Sequence, residues 1–128
     1  AISTDVADDL LIDVDRQRFQ QVLINLLQNA ADVVGPGGRI HIDARRENNG
    51  TRISVADNGP GIAPEDLPRI FDPFFSTKAV GKGTGLGLFI VHEIIGQHGG
   101  TISVDSQPGQ GTRFSIHIPD QKKPENLQ

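Results

Sequence analysis

The sequence predicts an α+β fold: a two-layer sandwich in which helices cover one face of a mixed, mainly antiparallel sheet. Two observations support this prediction. Residues 16–34 carry apolar side chains at helical spacing, and two stretches, 39–56 and 101–118, alternate apolar and polar residues as paired strands do. Helices and hairpins that each have one apolar face bury those faces when the helices pack on one side of the sheet.

The first predicted elements are a short buried strand over residues 10–14 and a long helix over residues 16–34. Asp15 is a residue type that caps helix N-termini, and the run Gly-Pro-Gly-Gly at 35–38 ends the helix. The apolar residues of the helix recur at i, i+3 and i+4 and therefore share one face: Phe19, Val22, Leu23, Leu26, Leu27, Ala30, Val33 and Val34.

Two hairpins are predicted from the alternating segments. Asn49-Gly50 is a suitable two-residue turn for the first, because both residues tolerate positive φ. Residues 107–111, which are rich in Gly and Gln around one Pro, form the turn of the second. The four strands are predicted over residues 39–44, 52–56, 101–105 and 113–118.

Two shorter helices and a loop are predicted between the hairpins. Residues 64–71 favour a short amphipathic helix, and residues 72–84, rich in Gly and Lys, favour a mobile loop. The last helix is predicted to begin at Gly85 or Gly87 and to end at the glycine pair 99–100. One face of it carries Leu88, Val91, Ile94, Ile95 and His98.

Composition limits the possible functions. The 128 residues, 36% of them hydrophobic, suffice for one core, and we predict one domain over residues 1–119 and a polar tail over 120–128. Cysteine is absent, which excludes disulfides, zinc ribbons and thiol chemistry. A formal net charge of −4 without a basic stripe argues against nucleic acid as a partner. No apolar run is long enough for a membrane span, so we expect a cytoplasmic domain without direct membrane contact.

Asn25 and Asn29 form an i, i+4 pair on the long helix. A solvated helix face is the simpler interpretation, because polar surface residues need no special explanation. However, Asn is a poor helix former, so two of them in one helix suggest a function. Amide oxygens suit a hard cation such as magnesium, which is the alternative interpretation.

The run Asp-Asn-Gly-Pro-Gly at 57–61 directly follows a predicted strand. It is either an ordinary turn that ends the strand, or a place where Asp57 accepts a hydrogen bond from a flat ligand that the glycines allow to approach.

Residues 81–88 alternate glycine with other residues and lead into the last helix. A flexible linker is one interpretation, but bare N–H groups at a helix N-terminus are also typical of a phosphate site. The nucleotide motif of P-loop proteins is excluded because Ser76 stands where its first Gly is needed. The dinucleotide motif is excluded because Leu86 replaces one of its glycines.

Together these features resemble the ATP-binding catalytic domain of bacterial sensor histidine kinases, in the gyrase, chaperone, histidine kinase and mismatch-repair ATPase superfamily. The likeness extends over residues 15–119 and implies the Bergerat-type ATP-binding fold. Residues 74–87 are most similar to kinases of the nitrogen-regulation and dicarboxylate-sensing type. The matching motifs, in the order of the family, are the N box at 21–30, the G1 box at 57–61, the F box at 70–75, the G2 box at 83–88 and the glycine-threonine strand at 111–114.

The resemblance implies roles for individual residues. Asp57 would accept a hydrogen bond from the adenine amino group, with Thr112 nearby through water. Asn29 would hold magnesium on the triphosphate. Asn25 occupies the place where hydrolases of the superfamily carry a glutamate that activates water; an amide cannot act as that base.

The resemblance also implies a phosphate cradle and a lid over the nucleotide, formed by residues 72–84. Many relatives have a basic residue where this chain has Asp32, which leaves the lid lysines as candidate partners of phosphate. The remaining predicted nucleotide-binding residues are Gly59, Gly61, Ile62, Phe71, Lys78, Lys82, Thr84, Gly85, Leu86, Gly87 and Leu88.

The function that the resemblance implies is transfer of the γ-phosphoryl group of magnesium-bound ATP to a histidine. That histidine is expected on the dimerisation domain of the same kinase, with a response regulator as the next partner, and the isolated domain is expected to be monomeric. His92 superficially copies the acceptor motif but is interpreted as structural, while His41 and His117 are predicted to face outward from strands. The chain is therefore expected to be a fragment that begins at a domain boundary.

Two alternatives remain open at this point. One is a regulatory module that binds nucleotide without transferring phosphate. The other is a serine kinase of the anti-sigma type on the same fold, which is disfavoured because the N box offers no carboxylate as a general base.

Overall fold

The computed structural model describes residues 1–6, 14–75 and 85–120. Five strands form one sheet in the order β1-β2-β3-β5-β4, in which only β1 and β2 run parallel among the described strand pairs. Two helices pack on one face, so the predicted two-layer α+β sandwich is confirmed. The elements are β1 (Ile2–Val6), α1 (Arg16–Val34), β2 (Ile40–Glu47), β3 (Gly50–Asp57), a 3-10 helix (Leu67–Arg69), α2 (Gly87–Gln97), β4 (Thr101–Ser106) and β5 (Thr112–Pro119).

The core lies between the sheet and the two helices. Because strand side chains alternate between faces, residues two apart on a strand share one side of the sheet, and the central rows of the covered side are apolar. One covered row runs through Ile42, Val55, Phe114 and Val104. The buried core residues are Phe19, Val22, Leu26, Ala30, Ile40, Ile53, Val55, Ile70, Val91, Ile94, Ile95, Phe114, Ile116 and Ile118.

The long helix has the predicted bounds. The Asp15 side chain accepts a hydrogen bond from the Arg18 backbone N–H at 3.0 Å, which satisfies one of the free donors of the first turn. Gly35, with φ of 65°, ends the helix. Val22, Leu26 and Ala30 are fully buried or nearly so, whereas Gln21, Gln28 and Asp32 are exposed.

The two helices are joined through His98, which follows α2. Its Nδ1 lies 2.9 Å from the Ile94 carbonyl oxygen, so this nitrogen donates. Its Nε2 then accepts from the Asp15 backbone N–H at 2.9 Å, at the start of α1. The Arg18 guanidinium also donates to the Gln97 side-chain oxygen at 2.7 Å. These contacts fix the beginning of α1 against the end of α2.

Two predictions of local structure need correction, and one strand was missed. The first turn consists of Asn48 and Asn49, both with positive φ, because Glu47 pairs with Gly50; the turn predicted at Asn49-Gly50 was one residue late. The helix predicted over 64–71 is only the 3-10 turn Leu67–Arg69, since Pro68 has no N–H to donate. β1 was not predicted at all.

Two predictions fall on residues outside the described part. The strand predicted over 10–14 lies there except for Val14, which is not in a strand, and so does most of the predicted loop 72–84. His41 and His117 do face the uncovered side of the sheet, where they bond to the Ser3 hydroxyl and the Glu47 carbonyl. Neither helix of the described chain combines the length and the apolar character that crossing a membrane requires.

Candidate functional site

A cleft of about 500 Å³ opens between α1, the end of β3 and the beginning of α2. Nine predicted site residues line it, so elements far apart in the sequence meet at one place. They are Asn25, Asn29, Asp57, Gly61, Ile62, Gly85, Gly87, Leu88 and Thr112.

The other predicted residues lie elsewhere. Gly59 and Leu86 are next to the cleft without lining it, and Phe71 packs its ring against His92 and Phe114 at centroid distances of 5.3 Å and 6.3 Å. Lys78, Lys82 and Thr84 lie outside the described residues.

The Asn25 amide joins α1 to the start of α2. Its Nδ2 donates to the Gly87 carbonyl at 3.2 Å, and its Oδ1 accepts from the Gln21 side chain at 2.8 Å. Both ends of the amide therefore have protein partners. The contact holds the first turn of α2 beside the polar face of α1, which sets the width of the cleft at this end.

The polar face of α1 forms one wall of the cleft. Asn25, Gln28, Asn29 and Asp32 follow each other at i, i+3, i+4 and i+7, so their side chains lie in one stripe. Asn25 and Asn29 are half-buried, whereas Gln28 and Asp32 are exposed at the mouth. The opposite face of the same helix is in the core, which keeps the stripe in a fixed orientation.

Asp57 closes the inner end of the cleft. It is the last residue of β3, and its Oδ1 accepts a hydrogen bond from the Gly59 backbone N–H at 2.9 Å. Partial burial raises the pKa of the Asp57 carboxyl above its ordinary value, and the N–H groups of Gly59 and Thr112 offset part of that rise. The result is a poorly hydrated carboxylate that is available as an acceptor.

The turn after β3 is attached to the β4–β5 hairpin. Gly61 has a φ of 79°, and a Cβ at this residue would lie 2.2 Å from the Gln107 carbonyl oxygen, so only glycine fits here. The Gly109 N–H donates to the Pro60 carbonyl at 2.6 Å. The turn is therefore held against the hairpin by backbone contacts.

Ser106 completes this attachment, and sequence reasoning missed it. Its hydroxyl accepts from the Ile62 N–H at 2.8 Å and donates to the Gly111 carbonyl at 3.0 Å. Since that uses its one hydrogen, the Thr112 hydroxyl, 2.9 Å away, donates to Ser106. No motif marks Ser106; only the pairing of β4 with β5 places it opposite Thr112.

The described ends of the predicted lid meet at its base. The Phe74 N–H donates to the Gly85 carbonyl at 2.8 Å, and both residues have positive φ. A Cβ at Gly85 would lie 2.5 Å from the Phe74 backbone carbon, so this contact also requires glycine. The Arg69 guanidinium lies 4.7 Å above the Phe75 ring, which itself lines the cleft.

The described lining of the cleft is acidic. It contains Asp32, Asp57 and Asp66 but no lysine or arginine. In the same part of the chain, no three His, Cys, Asp or Glu side chains are grouped so as to hold a metal ion by themselves. The amide and carboxylate oxygens that α1 contributes to the described lining are of the type that magnesium prefers.

Sequence reasoning also missed several residues of the wall. Gln28, Val33, Ala63, Asp66, Ile70, Phe75 and Ile90 line the cleft besides the predicted set. Periodicity places Gln28 on the same helix face as Asn25 and Asp32. Val33 and Ile90 lie on α1 and α2 and enter the wall through the packing of these helices. Ala63, Asp66 and Ile70 depend on how the turn after β3 folds back, which no local pattern encodes.

Comparison with known proteins agrees with this arrangement. A profile described as "Histidine kinase-, DNA gyrase B-, and HSP90-like ATPase" matches residues 14–122. The sensor histidine kinase ZraS of Escherichia coli (strain K12) is 49% identical over 115 residues, which cover 88% of this chain and 24% of that protein.

Solved structures agree as well. The catalytic domain of histidine kinase ThkA has a TM-score of 0.83 at 40% identity, covering 93% of this chain and 78% of that one. Full-length ShkA has a TM-score of 0.81 at 36% identity, covering 92% of this chain and 25% of that one.

The chain belongs to the histidine kinase-, DNA gyrase B- and HSP90-like ATPase family, and within it to the catalytic domains of histidine kinases. The family predicted from the sequence is thereby confirmed, whereas the likeness to nitrogen-regulation and dicarboxylate sensors stays a prediction. The chain spans about a quarter of the length of the ZraS proteins that it matches.

Proposed function

We propose that this domain binds ATP with magnesium and donates the γ-phosphoryl group to a histidine on a separate dimerisation domain, as part of two-component signalling. The observation that carries the proposal is the cleft itself, in which Asn25, Asn29, Asp57, Gly87 and Thr112 converge. The related ShkA was solved in complex with AMPPNP, an analogue of ATP, which supports a nucleotide as the ligand.

Asp57 provides the chemistry that would select adenine. Its carboxylate is an acceptor only, and the adenine N6 amino group is a donor. Guanine presents an acceptor, O6, at the equivalent position, so two acceptors would face each other. The turn that follows Asp57 is held in place by the close contact of Gly61 with Gln107 and by the bond from the Ile62 N–H to Ser106. This favours a fixed position for the end of the cleft that would bind the base.

The beginning of α2 provides the chemistry for phosphate. Gly85 and Gly87 line the cleft, and a Cβ at Gly87 would have no atom within 4 Å, which leaves room for an anion near the N–H groups at the start of α2. The positive end of the α2 dipole favours that anion. Magnesium, when bound, would neutralise charge on the phosphates, with the Asn29 amide oxygen as its protein ligand.

Asn25 fits a kinase rather than a hydrolase. An amide cannot accept the proton of an attacking water, and both ends of this one are already hydrogen-bonded to Gln21 and Gly87. Phosphoryl transfer depends chiefly on positioning and charge stabilisation. We therefore assign Asn25 the role of positioning α2 against α1.

The acceptor and the partners belong to the larger protein. The related ThkA was solved with the response regulator protein TrrA, which supports a response regulator as the second partner here. Use of ATP is consistent with a cytoplasmic domain.

His92 is exposed on α2 with its ring against Phe71, on a helix face that the cleft does not include. It is proposed as structural.

Transfer of a labelled γ-phosphate tests the proposal. The chain is incubated with ATP and magnesium, alone and with a separately expressed dimerisation domain of its parent kinase. We expect acid-labile label on the histidine of the added domain and none on the chain itself. Asn29→Ala should abolish labelling, while Asp43→Asn, a charge change on the uncovered sheet face, should not alter it. Binding of ATP without any transfer would instead indicate a regulatory module, and stable label on His92 would contradict the assignment.

A further inference from the structure

We propose that the Asp32 carboxylate is a second protein contact, beside the Asn29 amide, for the divalent cation that accompanies the nucleotide. This inference rests on the proposed function and specifies one residue of that site beyond it. Asp32 follows Asn29 by three residues in the polar stripe of α1, and both side chains line the cleft. Side chains at this spacing are neighbours on a helix surface.

The potential at this end of α1 favours a cation. Asp32 lies in the last turn of the helix, where the unpaired carbonyl groups form the negative end of the dipole, and no basic residue lies in that turn. A carboxylate at this position adds to the negative potential.

The wall of the cleft formed by the start of α2 has a positive potential, opposite in sign to that at the end of α1. The N-terminus of α2 directs positive potential into the cleft at Gly87, and the bond from the Asn25 amide to the Gly87 carbonyl keeps the two walls side by side. Phosphate bound at α2 would face the stripe that carries Asn29 and Asp32. A bare polyphosphate would be repelled by Asp32, whereas a cation between them would be attracted by both.

The chemistry of magnesium agrees with this arrangement. The ion is usually held by one or two carboxylates together with substrate phosphates and water, and a neutral amide alone is a weaker ligand. Of the carboxylates in the described lining, Asp57 lies at the inner end beyond the glycine turn, and Asp66 lies in the loop before the 3-10 helix. Asp32 is the one that shares the helix stripe with Asn29.

The test compares nucleotide affinity with magnesium and with a chelator, measured by displacement of a fluorescent ATP analogue from the full 128-residue chain. The ratio of the two dissociation constants is the metal increment. We expect Asp32→Asn to lower this increment by about tenfold or more, as is common when a group that supports a metal is removed. Asp32→Lys should bind metal-free ATP more tightly than the wild type does, because the ammonium group replaces the cation.

Glu65→Gln is the matched control, since it removes the same charge from an exposed residue that does not line the cleft. Its metal increment should equal that of the wild type. An unchanged increment in both Asp32 variants would overturn the inference, and so would an equal loss in Glu65→Gln, which would show a general field effect. If the wild-type chain binds no ATP under either condition, the proposed function itself fails and this inference fails with it.

Discussion

Asp57 lies half-buried at the end of β3, where its carboxylate has lost part of its hydration. Because burial raises its pKa, the folded chain holds this proton more tightly than the unfolded chain does. The contribution of Asp57 to the free energy of unfolding therefore falls as the pH rises from the ordinary value of 3.8 through the raised one. Above that pH range, the partly buried carboxylate lowers the free energy of unfolding of the ligand-free domain.

Asp57→Asn should separate stability from binding. Relative to the wild type, the free energy of unfolding of this variant should increase between pH 4 and pH 7, because the amide has no charge to desolvate. Its affinity for ATP should fall by roughly 1.5–3 kcal/mol, the usual value of a charge-assisted hydrogen bond. Urea titration at both pH values and displacement of a fluorescent ATP analogue measure the two effects. Unchanged ATP affinity in a folded variant would remove Asp57 from the site.

At the scale of elements, the His98 ring is one of the contacts that hold α1 against α2. His98 bonds to the carbonyl of Ile94 and to the N–H of Asp15. It therefore joins the last turn of α2 to the residue that caps the start of α1. The same two helices form opposite walls of the cleft at Asn25 and Gly87. A change at His98 therefore acts on the site through the position of α2.

His98→Ala should lower the free energy of unfolding by about 1–2 kcal/mol, since two hydrogen bonds are lost. Urea unfolding of the free domain measures this. The control is His41→Ala, because the His41 ring bonds to the hydroxyl of Ser3 on the edge strand β1, at an exposed position. His41→Ala should lower the free energy of unfolding by less than His98→Ala does. Equal costs for the two variants would mean that His98 does not hold the helices together.

How far the sequence predicted each element depends on whether its determinants are local. The bounds of α1 were predicted correctly because the periodicity, Asp15 and Gly35 are all within the segment. The first turn was misplaced by one residue because Asn48, Asn49 and Gly50 all tolerate positive φ, and only the pairing of Glu47 with Gly50 selects between them. β1 was missed because its pairing with β2 is a contact between distant segments.

The same distinction applies to the site. Asn29 and Asp57 could be predicted because each lies in a motif with a regular position on its element. Ser106 could not, since its role arises from the register of β4 with β5 and from the fold of the turn that contains Ile62. Asn25 lines the cleft, as its position on the helix predicts, but its bonds to Gln21 and Gly87 depend on how two helices pack.

At the scale of the whole molecule, the cleft is built from parts of α1, β3, α2 and β5, which are also the elements that enclose the core. A ligand bound there stabilises all of them together, because the unfolded chain has no such cleft. Binding should therefore oppose global unfolding rather than a local opening.

ATP with magnesium at about 100 times its dissociation constant should raise the free energy of unfolding by about 2.7 kcal/mol. For a domain of this size that corresponds to an increase in Tm of roughly 10 °C, measured by thermal unfolding at a series of nucleotide concentrations. GTP at equal concentration should have little effect. A domain that binds ATP in an independent assay and yet keeps the same Tm would show that the cleft forms apart from the cooperative unit.

The bond between the Phe74 N–H and the Gly85 carbonyl has a consequence for sequence variation and protein engineering. The backbone at Phe74 and the backbone at Gly85 are held together by this bond, so the two ends of the intervening segment are already close in the fold. Each doubling of the length of such a connection costs only about 0.6 kcal/mol. Insertions between these two residues should be tolerated by the domain, and this is the place at which a reporter sequence or a foreign recognition segment could be added without rebuilding the core.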